Sequence, residues 1–173
     1  IIIVADHGMA KHRPETFVRL ADVLPADSYD LVTGGQVAGL YAKPGHEAEV
    51  DKALINEKPA HMQCWHKAKI PARFQYGHHR RVPEITCLAD VGGYIIGPST
   101  DNWMPKPEGG SHGYDPSAPE MQALFIANGP AIRPGVKLAP FDNVDVYSLE
   151  TKLLGIKGEQ NDGKLGPLKP ALY

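Results

Sequence analysis

Two of the eight histidines in this 173-residue chain stand out by their surroundings. His7 follows Asp6 at the end of an apolar run, Ile1-Ile2-Ile3-Val4-Ala5, and precedes Gly8. His112 lies in Gly109-Gly110-Ser111-His112-Gly113, where flanking glycines let the backbone come close to a bound group. A carboxylate beside an imidazole, and a second imidazole in a glycine-rich loop, are the residue types that bind zinc. Consecutive strand residues point to opposite faces, so Asp6 and His7 share a ligand only where the backbone bends, and Gly8 permits the bend. The other readings are a hydrogen-bonded pair closing a strand at Asp6-His7 and a water-facing loop side chain at His112. Spacing alone leaves both open.

The remaining histidines carry no such signal. His12, His46, His61 and His66 sit in or near polar segments, and His78-His79 precede Arg80-Arg81 in what reads as a solvated loop. There is no HExxH, and no two histidines stand four apart to share a helical face. Cys64 and Cys87 are too distant for a CxxC motif and too few for a zinc finger. They are either one disulfide or two buried thiols, and the sequence does not choose.

These residues need elements to position them. Residues 1 to 6 read as a strand of the kind covered on both faces, and ligands of open α/β sheets bind at such C-terminal strand edges. Residues 16 to 24 suggest a strand running into a helical turn. Residues 29 to 33 and 37 to 42 form a hairpin across Gly34-Gly35. Residues 46 to 55 read as a helix with Val50, Ala53 and Leu54 on one face. Short strands are expected at 61 to 65, 85 to 89, 94 to 97 and 123 to 129, with a long loop over 103 to 116. The clearest helix spans 142 to 156, capped by Asp142 or Asn143, with Val146, Leu149, Leu153 and Leu154 as its stripe and Gly155 at its exit. Strands and helices alternate at the two ends and hairpin-like material fills the middle, as in an α/β domain with an excursion near residues 12 to 108.

Composition narrows the function classes. With 42% hydrophobic and 22% charged residues, the chain is globular and long enough for a real core. A net charge of -2 gives no electrostatic case for a nucleic-acid or membrane surface. No apolar run approaches about 18 residues, so no membrane span is expected.

Together the segments resemble the nucleotide pyrophosphatase/phosphodiesterase family of the alkaline phosphatase superfamily. The resemblance rests on ADHGM (5 to 9), GSHGYDP (110 to 116), ALFIANGPAIRPG (123 to 135), PFDNVDVYSLETKLLGI (140 to 156) and NDG (161 to 163), which occur in the family's order and spacing. It implies the C-terminal portion of an alkaline-phosphatase-like layered α/β domain with a mainly parallel central sheet, residues 1 to 173 forming part of a single catalytic domain. It also implies two zinc ions per complete site, with Asp6 and His7 on one and His112 on the other. The nucleophilic Thr and the remaining ligands of the family's site would lie upstream of this chain, so no catalytic residue is assigned within it. Ile1-Asp6 would then be an interior strand, and the missing N-terminal segment a partner of this one.

The expected reaction is hydrolysis of a nucleotide phosphodiester or pyrophosphate bond, releasing a nucleoside 5′-monophosphate, in a periplasmic or secreted enzyme. A phosphomonoesterase or phosphonate hydrolase of the same superfamily is the near alternative. A phosphomonoesterase would need extra cations near His112, where only Lys106 is close in sequence. A non-catalytic fragment is the expectation for the 173 residues in isolation.

Overall fold

The computed structural model describes residues 1–98 and 105–173. In chain order its strands are β1 (Ile2–Val4), β2 (Ala10–Lys11), β3 (Phe17–Arg19), β4 (Tyr29–Thr33), β5 (Val37–Ala42), β6 (Met62–His66), β7 (Ile85–Ala89), β8 (Tyr94–Ile96), β9 (Gly110–Ser111) and β10 (Phe125–Ala127). The helices are α1 (Glu47–Asp51) and α2 (Asp145–Leu154). The chain divides into two units, one of residues Ile1–Asp6 with Ala123–Tyr173, the other of His7–Gln122.

In the second unit, alternation builds the sheet. Ile85, Cys87 and Ala89 occupy every second position of β7 and are all buried, as a strand with one face on the core requires. The sheet runs β4-β5-β7-β6, every neighbour antiparallel, and β7 pairs Leu40 with Ile85 and Ala38 with Cys87. Gly35, at φ +119°, turns the chain between β4 and β5. Val50 of α1 and Leu54, in the widened turn that continues the helix, join Leu40, Met62 and Ile85 in one buried cluster. Each such side chain contributes about 1.5–3 kcal/mol by leaving water. β3 runs parallel to β8, whose Tyr94, Ile95 and Ile96 are all buried. Such a continuous apolar run is what a strand covered on both faces requires. The α/β class therefore holds, with mixed sheets: among the described residues the β3–β8 ladder is parallel and the other strand ladders are antiparallel.

Cys64 and Cys87 face each other across the β6–β7 ladder and form a disulfide. Register decides the question the sequence left open, because residues directly opposite on adjacent strands have neighbouring Cβ atoms. The bond is 23 residues apart in sequence, a loop whose closure in the unfolded chain is worth about 3 kcal/mol. Replacing both cysteines by alanine is expected to cost about that much, read as a lower urea midpoint with a steeper slope, because the unfolded chain expands once the loop is open.

In the first unit, β1 pairs antiparallel with β10, Ile3 opposite Ile126. The cover expected on both faces of residues 1 to 6 in a complete domain is not supplied by the described residues, and the strand shows the bare apolar face expected of these 173 residues in isolation. Ile1 is 87% exposed, Ile3 52% and Ile126 50%, because β10 is the only strand beside β1 among the described residues. α2 also differs in detail. Val144 precedes it without a side-chain cap, while Asp142 accepts from the Asp145 amide through its backbone carbonyl. The stripe is narrower than expected: Val146 and Leu149 are buried, but Leu154 is 71% exposed. Gly155 ends the helix at φ +66°, the left-handed exit that glycine adopts freely. The expected loop over 103 to 116 begins outside the described residues.

Candidate functional site

A two-residue ladder creates the site. β2 and β9 pair Ala10 with Ser111 and Lys11 with Gly110, which draws the segment after His7 against the segment before His112. The two imidazoles then stack, ring centroids 3.6 Å apart and planes 16° from parallel. His7 Nδ1 lies 2.8 Å from the Gly8 carbonyl oxygen. A carbonyl only accepts, so Nδ1 carries the proton, and Nε2 is the nitrogen through which a metal would be bound.

Gly8 is required, but for space rather than for a turn. Its φ is not in the left-handed region, yet a Cβ there would overlap the Glu120 carbonyl oxygen and crowd that of Gln122. Its amide donates to the Met121 carbonyl at 3.0 Å, fixing the chain where His7 leaves it. Gly113 does need its freedom, at φ +93°, to turn the backbone after His112. Asp6 is exposed, and its backbone carbonyl accepts from Asn143 Nδ2 at 3.0 Å. That bond employs the side chain expected to cap α2.

The loop bearing His112 is held on both sides. Beyond it, Tyr114 is buried and donates to the Gly93 carbonyl at 3.0 Å, and burial pushes its phenol up from the ordinary value. Asp115 accepts two bonds from Arg73, at 2.7 and 2.6 Å, and two more from Ser117. The Arg73 guanidinium holds the Asp115 carboxyl well below the usual carboxylate range. Before it, the tether is His12, which sequence reasoning left among the polar-segment histidines. His12 is 6% exposed, with Nδ1 2.6 Å from the Lys106 carbonyl and Nε2 2.7 Å from Ser111 Oγ. No local signal marks it, because its partners lie more than ninety positions away.

The other histidines are placed apart from this loop. His46 lies 2.9 Å from Glu49, His61 3.3 Å from Asp90, and His66 3.2 Å from Asp51. His78 and His79 are exposed. The Lys106 side chain is exposed too, while its carbonyl accepts from His12 and from the Gly109 amide.

Asp6, His7 and His112 suit zinc in kind, a carboxylate and neutral imidazoles being its ordinary donors. They are short in number. Among the described residues no three His, Cys, Asp or Glu side chains are gathered to hold a metal.

Comparison with known proteins finds the same α/β fold. The model of the type I phosphodiesterase / nucleotide pyrophosphatase family matches residues 1–115. The chain belongs to that family. It is 32% identical to the Xenopus laevis bis(5'-adenosyl)-triphosphatase, over 98% of this chain and 36% of that protein. It is 31% identical to the Homo sapiens ectonucleotide pyrophosphatase/phosphodiesterase family member 5, over 94% of this chain and 33% of that protein. The solved structure of human ectonucleotide pyrophosphatase/phosphodiesterase 5 superposes with a TM-score of 0.87 at 30% identity, covering 99% of this chain and 45% of that one. An inactive threonine-to-alanine variant of the murine protein, in complex with AMP, superposes with a TM-score of 0.84 at 31% identity, again over 99% and 45%. The chain thus spans about a third of the length of these curated relatives and under half of the solved chains.

Proposed function

We propose that the protein containing this chain hydrolyses nucleotide phosphodiester or pyrophosphate bonds and releases nucleoside 5′-monophosphates. The observation that carries this reading is the contact between His7 and His112, with His7 Nδ1 held by the Gly8 carbonyl. Two-metal hydrolytic sites hold their ions about 3.5–4 Å apart, and imidazoles in contact suit ligands to two such neighbours. His7, with Asp6, would hold one zinc, and His112 the other. When bound, the pair of ions lowers the pKa of a hydroxyl nucleophile and offsets charge on the attacking and leaving oxygens. The part played by this chain is to aim three donors and to keep two of them rigid, through Gly8, Gly113 and the Arg73–Asp115 pair.

The nucleophile in this reading is a threonine in the N-terminal segment, which also supplies the remaining ligands and the strands that cover β1. The inactivity of the murine threonine-to-alanine variant and its complex with AMP support both the nucleophile and the nucleotide. The Cys64–Cys87 bond supports an oxidising compartment, periplasmic or extracellular, since such bonds persist there.

Diester and monoester turnover tests the reading. The complete protein is expected to hydrolyse bis(p-nitrophenyl) phosphate with a higher kcat/KM than p-nitrophenyl phosphate. Arg73, the guanidinium that holds the His112 loop, is engaged by Asp115 and so is not available to a doubly charged terminal phosphate. A preference for the monoester would overturn the proposal in favour of a phosphomonoesterase.

A further inference from the structure

We propose that His12 is a positioning residue for the metal site, acting through the loop that carries His112. The inference rests on the assignment of His112 as a zinc ligand. It starts from the chemistry of a buried imidazole. His12 is 6% exposed, and a polar group so buried must be hydrogen-bonded or destabilise the fold. Both ring nitrogens are engaged, and by the same loop: Nδ1 lies 2.6 Å from the Lys106 carbonyl and Nε2 2.7 Å from Ser111 Oγ. The carbonyl accepts, so Nδ1 donates. In the neutral ring Nε2 then accepts from the Ser111 hydroxyl.

The geometry around the ring leaves the loop little choice of path. The His12 amide donates to the Gly109 carbonyl at 2.9 Å, and the Gly109 amide closes a turn on the Lys106 carbonyl at 2.9 Å. A Cβ on Gly109 would come within 3.0 Å of His12 Cε1 and Nδ1, so the ring is seated against bare backbone. Phe17 packs against the ring at a steep angle, centroids 6.0 Å apart and planes 76° from parallel. His12 thus holds the loop at Lys106 and Ser111 through its side chain and at Gly109 through its amide, and the residue after Ser111 is His112. Partners that orient a ligand contribute to metal binding without touching the metal. His12 does this one residue removed, by setting the backbone from which the ligand projects.

The test uses the complete protein with two substitutions. His12→Phe keeps the ring's size and removes both bonds, whereas His12→Gln keeps one donor and one acceptor. Amide exchange across residues 105 to 112 reads the tether alone: His12→Phe is expected to speed it and His12→Gln to leave it near the wild-type rate. Zinc competition with a chromophoric chelator reads the consequence. His12→Phe is expected to weaken one of two zinc ions about tenfold or more, lowering kcat more than it raises KM, with most of the loss recovered in His12→Gln. Unchanged exchange in His12→Phe would overturn the proposal. So would faster exchange with both zinc affinities intact, since the tether would then position nothing. Equal losses in the two variants, alongside an equal fall in Tm, would reduce His12 to a packing residue. If His112→Ala in the same assay keeps both zinc ions, the assignment of His112 itself fails, a result distinct from each of these.

Discussion

Replacing His112 by alanine in the complete protein is expected to lower diesterase kcat/KM by about a thousandfold or more. A ligand lost from a two-metal site removes charge stabilisation worth several kcal/mol, and each 1.36 kcal/mol is a factor of ten. The fold should hardly notice. His112 is exposed, in a loop held by Tyr114, by Arg73–Asp115 and by His12, so its side chain contributes little packing beyond the stack on His7. Thermal unfolding of the metal-free protein should shift by no more than an exposed substitution usually produces, about 0.5 kcal/mol. Near-wild-type turnover would return His112 to a solvated loop side chain. Lost turnover with a large fall in metal-free Tm would show that its role is structural.

The second large effect concerns residues 1 to 173 produced alone. Ile1, Ile3, Val4, Leu124 and Ile126 are all exposed around the β1–β10 ribbon, and β1 has β10 as its one partner among the described residues. An unpaired strand edge beside exposed branched side chains templates association. Light scattering on the purified segment is therefore expected to show dimers or larger species. If the proposed function holds, joining this segment to the rest of the complete protein should restore solubility and diesterase activity together, because the same residues would supply neighbouring strands and further ligands. A monodisperse, cooperatively melting monomer would contradict this, and would show that the exposed ribbon tolerates water.

What could be read from the sequence was local. β7 falls on residues 85 to 89 as expected, because Ile85 and Thr86 are strand-forming types and Gly92 turns the chain beyond its end. The β4–β5 hairpin and the glycine exit of α2 are legible for the same reason. What escaped depends on partners distant in the chain. The disulfide needs the β6–β7 register, and the cap of α2 is lost because Asn143 finds the Asp6 carbonyl, 137 positions away. The apolar run of β1 marks a strand that needs cover, but which residues cover it is not written in the run itself. Gly8 shows a right residue for an incomplete reason: the sequence suggests a bend, and the structure shows carbonyls of residues 120 and 122 where a Cβ would sit. Of the candidate site, His7 and His112 could be singled out by their glycines and do meet. His12 could not, since nothing near it in sequence tells a buried clamp from a polar surface residue.

The central claim is that His7 and His112 serve two different zinc ions of one site. Elemental analysis of the complete protein, with and without His112→Ala, tests it most directly. The account predicts about two zinc ions per chain in the wild type and about one in the variant, the survivor being the ion shared by Asp6 and His7. Two zinc ions retained in the variant, or fewer than two in the wild type purified in excess zinc, would contradict it.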